Sequence, residues 1–149
     1  MGGDVWVIMD SLVDTPGEES IRFISDEMKE FEEEYSRRTK DDYQNDRKLQ
    51  KLIDRTVENI LTALIEIAGT FLTEKGIAAD SYAEALRKCA QRLNLNEEEQ
   101  EKLASLAFHR NRLAHRYLNF RWQAVEDFSE KRPLIAKILA LLLKNTPVP

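Results

Sequence analysis

The sequence predicts an all-α fold, an up-and-down bundle of four to five helices, on three observations. Apolar residues recur at spacings of three and four rather than two. Helix-start signatures stand just ahead of those periodic runs. Only 5 glycines and 4 prolines are present, few for a fold of short strands and tight turns. At 149 residues, 42% hydrophobic and 33% charged, the chain fits one globular domain and neither a disordered polar chain nor a membrane protein.

Residues 1–19 are expected to form an irregular extension broken by Thr15-Pro16-Gly17, residues 20–145 a helical domain, and residues 146–149 a flexible tail. Within the extension, Val5-Trp6-Val7-Ile8 fits either a short strand or a strap over an apolar surface. An acidic residue stands where a signal peptide needs a basic one, so no secretion is expected. Met9 is an alternative start, which leaves residues 1–8 open as native sequence.

Ile21, Ile24, Met28, Phe31 and Tyr35 follow a 3-4-3-4 spacing and define a first helix. Its other face carries Asp26, Glu27, Glu30, Glu32, Glu33 and Glu34, which reads as a solvated surface. Asp41-Asp42 read as helix N-terminal charge rather than a metal site. A long second helix runs from about Asp46 to Lys75, with Gly76 as a left-handed cap. It carries two apolar stripes, Ile53-Val57-Ile60-Leu64-Ile67-Phe71 and Leu61-Ile65-Ala68-Leu72. A helix apolar over so wide an arc is buried on two sides, inside a bundle or partly against another subunit.

The third helix starts at Ser81, with Glu84 completing a capping box, and runs to about Leu93. Cys89 within it should be packed, and a single cysteine excludes an intrachain disulfide and a cysteine-based zinc cluster. The fourth starts near Asn96, with Glu99 three residues on, and carries Leu103, Leu106, Ala107 and Leu113. Pro133 suits the first turn of a last helix, Leu134 to Lys144. The apolar stretch Leu134 to Leu143 is interrupted by Lys137 and falls far short of the ~20 residues a membrane span needs. The expectation is a cytoplasmic protein with no membrane partner.

Lys plus Arg is 22 and Asp plus Glu 27, and taken globally the net charge of −5 argues against a nucleic-acid binder. The distribution is uneven. Residues 102–125 contain no Asp or Glu, hold Lys102, Arg110, Arg112, Arg116 and Arg121, and include both histidines, His109 and His115. That window is +5 in a remainder of −10. Phe108, Tyr117, Phe120 and Trp122 are interleaved with the cations, as phosphate attraction plus base stacking requires. A basic helix docked on the acidic first helix of the same molecule explains the composition equally well.

Arg110 falls on the stripe Leu103, Leu106, Arg110, Leu113, Tyr117, a position the pattern reserves for an apolar side chain. A guanidinium there must be ion-paired, hydrogen-bonded or facing a polar cleft. His115 lies five residues on, about 140° round an ideal helix. Bringing the two together needs a bend, a helix end near Ala114, or a second copy of the chain. His109 has no assigned role and fits a surface or capping histidine.

The run Arg110-Asn111-Arg112-Leu113-Ala114-His115-Arg116-Tyr117 resembles the Arg-Asn-x-x-x-His-x-Tyr pattern of HEPN-domain proteins, and is most similar to the HepT-like toxins of HEPN/MNT toxin–antitoxin pairs. The likeness extends upstream through DRTVENILTALIEIAGTFL and DSYAEALRKCAQRLNL, covering roughly residues 45–125. It implies a metal-independent endoribonuclease without a cofactor, acting on single-stranded RNA (mRNA or tRNA) as a homodimer with two motifs facing one cleft. Arg110 would bind the scissile phosphate and His115 would act as general base or acid. Asn111, Arg112, Arg116 and Arg121 would contact substrate. The resemblance also implies that a cognate MNT-type nucleotidyltransferase antitoxin silences the toxin by transferring AMP to Tyr117. A non-catalytic HEPN-like dimer that binds nucleotide, RNA or a partner protein is the alternative.

Overall fold

The computed structural model describes residues 5–6, 19–114 and 120–145. Among them every regular element is helical: α1 Glu19–Glu30, α2 Lys40–Asn45, α3 Arg47–Glu74, α4 Tyr82–Arg92, α5 Glu97–Ala114, α6 Arg121–Glu130 and α7 Arg132–Lys144. The all-α expectation holds; the count of four to five does not, because α2 and α6 are additional.

Both extra helices have a physical reason. α2 is six residues long, too short to display a repeat, and is held at its start by a complete capping box between Thr39 and Asp42. α6 buries Ala124, Val125 and Phe128, and only Lys131 separates it from α7. The break coincides with Pro133 in the first turn of α7, where a missing N–H costs no helical hydrogen bond.

α3 is the axis of the domain and packs against α1, α2, α4, α5 and α6. Its start is capped by Asp46, whose side chain accepts from the Leu49 N–H. Its end turns at Gly76, with φ +69°, where Ile77 N–H bonds back to Leu72 O at 2.9 Å. Apart from the half-buried Ile67, every residue of the two apolar stripes is buried within this one chain. The stripes therefore need no second subunit. By length and composition α3 could cross a membrane, but most of its apolar window is buried core.

Side-chain capping also sets the starts of α4 and α5. Asn96 and Glu99 bond reciprocally at the start of α5, at 2.8 and 3.0 Å. At α4 the expected box is half realised: Ser81 Oγ accepts from Glu84 N–H, while the Glu84 carboxylate accepts from Asp80 N–H instead. Asn94, with φ 65°, turns the chain after α4. Cys89 is fully buried, its thiol pushed up to about 12 by burial, which leaves it unreactive.

The acidic face of the first helix needs a correction. At Phe31–Tyr35 the helix widens into a π turn, with Ser36 N–H bonding to Phe31 O. Glu32 lies one turn after Met28 and two turns after Ser25, both fully buried, so helix geometry already sets it beside the buried face, and its side chain is only 9% exposed instead of solvated. Glu32 Oε1 accepts from Trp6 Nε1 at 2.9 Å and meets Arg132 at 3.2 Å. Trp6 is itself 1% exposed, and its carbonyl accepts from Ser25 Oγ at 2.7 Å. At Trp6, then, the extension is a strap seated on α1; Val5 and Trp6 are not extended.

Candidate functional site

α5 carries the basic window on a helix whose apolar stripe is turned into the core. Leu103, Leu106 and Leu113 are buried, and Arg110 sits half-buried in line with them. Its Nε donates to Thr62 Oγ1 on α3 at 3.3 Å, and its guanidinium carbon lies 5.8 Å from the Tyr82 ring centroid at the start of α4. Of the three solutions open to a guanidinium in that position, the chain uses hydrogen bonding, and adds an aromatic contact to it. No carboxylate pairs with Arg110 among the described residues. A cation held by a hydroxyl and a ring keeps its full charge for an incoming anion.

Tyr82 and Phe108 remain largely exposed, on α4 and α5. Asn111 is exposed, and Arg112 lies over the exposed Phe120 ring at 5.1 Å. His115, Arg116 and Tyr117 lie outside the described residues, so the Arg110–His115 geometry is not part of the structural description.

Arg121 has a different environment. Its NH1 donates to Asp54 Oδ2 at 2.9 Å and its NH2 to Gln50 Oε1 at 3.2 Å, both on α3. Asp54 also accepts from the Tyr43 hydroxyl, and the Tyr43 ring packs 5.2 Å from Trp122. Burial raises the Asp54 carboxyl above its ordinary value, while Tyr43 and Arg121 pull it back down. The Tyr43 hydroxyl is raised by burial and by Asp54. Arg121 thus fixes the start of α6 to the first half of α3. Among the described residues, the α5 part of the basic window packs chiefly against α3, α4, α6 and α7 rather than against the acidic helix.

A second buried polar cluster joins α5 to α6. His109 is buried rather than at the surface, because α6 covers that side of α5. Its Nε2 bonds to Asp127 Oδ2, which also accepts from Lys131 Nζ, and Lys131 donates in turn to Ser105 Oγ. Burial lowers the His109 pKa below 6.5 despite Asp127, so the ring is neutral at neutral pH. Burial alone would raise the Asp127 carboxyl, but hydrogen bonds from Lys131 and His109 outweigh it and hold the carboxyl below its ordinary value. His109 Nδ1 is buried without a partner among the described residues.

Sequence reasoning found Arg110 and missed both buried clusters. Asp54 follows Ile53 inside the buried run of α3, and a carboxylate there demands a partner; that was the available signal. Thr62, which holds Arg110, carries no such signal. Among the described residues no group of His, Cys, Asp and Glu side chains is arranged to hold a metal ion.

An arginine that no described carboxylate neutralises, beside a basic and aromatic stretch of sequence, has the chemistry of phosphate and base contact. Comparison with protein families makes this specific. The profile described as Ribonuclease HepT-like matches residues 24–138, well over half of the chain. The protein belongs to the HepT-like ribonuclease family. Neither the curated proteins nor the solved structures give a significant match.

Proposed function

We propose that the protein is the endoribonuclease toxin of a toxin–antitoxin pair, cleaving single-stranded RNA without a metal through Arg110 and His115. The observation that carries this reading is Arg110: half-buried in an apolar stripe, held by Thr62 and Tyr82, and paired with no described carboxylate. A cation so placed is costly to the fold unless an anion uses it. The anion is the scissile phosphate.

In the proposed reaction the ribose 2′-oxygen attacks phosphorus and the bond to the 5′-oxygen breaks. The 2′-hydroxyl proton leaves to a base and the departing 5′-oxygen gains a proton. Products are a cyclic phosphate and a free 5′-hydroxyl. His115 serves as general base or acid, because imidazole titrates near neutrality. Arg110 offsets the charge that builds on the phosphoryl oxygens. Asn111, Arg112 and Arg116 lie along the same segment and contact the strand. The working form is a homodimer with two motifs in one cleft. Tyr82, exposed beside Arg110, is apolar surface available to a second copy.

The antitoxin is a nucleotidyltransferase that adds AMP to Tyr117. A bulky anionic group beside a basic segment blocks RNA by charge and size together. The test is cleavage of RNA by purified protein in the presence of a chelator. Arg110→Ala and His115→Ala should abolish cleavage while leaving the helical content and melting behaviour intact. Cleavage retained in both folded variants would overturn the proposal. Mass spectrometry after co-expression with the adjacent gene product should show added AMP on the Tyr117 peptide.

A further inference from the structure

Seven side chains from α2, α3 and α6 enclose a cavity of about 400 Å³, within the size range of small-molecule sites. It lies on the Arg121 side of the domain, away from Thr62. Asp54 and Thr62 are eight residues apart, so the two arginines are held roughly 12 Å apart along α3 at 1.5 Å rise per residue.

The lining has a consistent chemistry. Trp122 and Tyr43 form an aromatic wall, with ring centroids 5.2 Å apart. Gln44, Gln50 and Gln123 contribute amides, which offer donors and acceptors to a base edge. Lys40 stands exposed at the rim and forms no ion pair among the described residues. No Asp or Glu lines the cavity among those residues. Of the nearby carboxylates, Asp54 is engaged by Tyr43 and Arg121 and Asp42 by the Thr39 cap, while Asp41 is exposed on α2 and does not line the cavity. Arg121 Nε is buried with no hydrogen-bond partner among the protein's described groups.

Two other cavities lack this combination. The one that Trp122 shares with Phe31 and Tyr35, about 250 Å³, carries Arg38 and Arg132 but also Glu126 and Glu130, whose charges offset those cations. The one beside Lys88 and Arg92 has amides and cations but only Ile77 as an apolar wall. Flat aromatic surface, amides and an unpaired cation without carboxylates together fit a nucleotide.

We propose that the Trp122 cavity is a subsite for one nucleotide of the RNA strand, its base against Trp122, its edge read by the glutamines and its phosphate beside Lys40. The strand, though not the cavity's nucleotide chemistry, rests on the ribonuclease reading above. Chain continuity favours a strand over a free nucleotide, since Arg121 and Trp122 directly follow the segment that carries His115 and Tyr117.

The test uses the full chain carrying His115→Ala, so that RNA stays intact, and reads tryptophan fluorescence during titration with a hexaribonucleotide, AMP or inorganic phosphate. Trp6 is 1% exposed and cannot stack on a base, so quenching reports Trp122. The hexamer should quench and bind more tightly than AMP, and phosphate alone should not quench. Trp122→Leu removes the reporter, so its binding is read by fluorescence anisotropy of a dye-labelled hexamer; it should be weaker by about 10-fold or more, as loss of one base–aromatic stack makes it. Lys40→Ala and Gln123→Ala, at exposed positions that leave folding intact, should each weaken it severalfold. Hexamer affinity unchanged in these two surface variants would overturn the subsite even if Trp122→Leu failed to fold. AMP binding as tightly as the hexamer would also overturn it, by assigning the cavity to free nucleotide. The two readings fail separately: wild-type cleavage with unaffected variants removes the subsite alone. Trp122-dependent RNA binding by a wild-type protein that never cleaves removes the ribonuclease alone.

Discussion

Arg110 and Arg121 come from one basic window and both reach α3, yet they are held in opposite ways. Arg121 meets a carboxylate and an amide in a buried pair, and its charge is spent inside the fold. Arg110 meets a hydroxyl and an aromatic ring, and its charge is not. Cationic composition alone makes the two look interchangeable. Their partners separate a residue that assembles the domain from one available to act on a ligand.

The sharpest way to break that contrast is to remove each side chain in turn. Arg110→Ala should lower RNA cleavage by about 10²–10³-fold or more, as loss of a preorganised transition-state donor does, with little change in melting temperature. Initial rates on a fluorogenic RNA, with thermal melts as control, measure both. Arg121→Ala or Asp54→Ala should do the reverse in kind. Each leaves one buried partner of an ion pair uncompensated, a loss of about 3–5 kcal/mol that urea titration would read. If Arg121→Ala left stability untouched, the distinction between the arginines would collapse.

A smaller effect comes from pH. The His109 pKa is lower in the folded chain than its ordinary 6.5. The unfolded chain therefore takes up the proton first, and stability is full above about pH 6.5 and lost as pH falls through the folded value. Asp127, Lys131 and Arg112 are the charged groups that act on the ring. Asp127, lowered by its own bonds, loses its contribution only below the ordinary carboxylate value of 3.8. Asp54, raised by burial, acts in the opposite sense near the carboxylate range. Melting temperature measured between pH 7 and pH 5 should therefore fall, and His109→Gln should flatten the slope. The smallest expected effect is Thr62→Val, a near-isosteric change that removes only the oxygen holding Arg110 Nε. Cleavage should fall severalfold, with no change in the Arg121 cluster.

The helices that could be read from sequence were those long enough to repeat and marked by caps. α3 and α5 announced themselves through 3-4 stripes and through Asp46, Gly76, Asn96 and Glu99. α2 and α6 did not, being one to three turns long. Glu32 reads as one more letter of an acidic run, yet it shares the face of Ser25 and Met28, and its partners Trp6 and Arg132 are distant in sequence. Arg110 was legible as a charge where the pattern wanted an apolar residue. Its partner Thr62 lies 48 residues away, on a position with no signature of its own. Arg121, Trp122 and the glutamines were separate polar or aromatic letters until tertiary packing placed α2 beside α6.

Glu32 has a further consequence. One carboxylate oxygen receives the indole N–H of Trp6, near the start of the chain, and lies against Arg132, at the start of the last helix. A truncated form beginning at Met9 would lose the indole, leaving a void over α1 and Ser25 Oγ without its acceptor. Glu32 would then lean on Arg132 alone, loosening the seat of α7. The first few residues thus behave as a latch between opposite ends of the polypeptide, and a tag or deletion placed there would be felt at the far terminus.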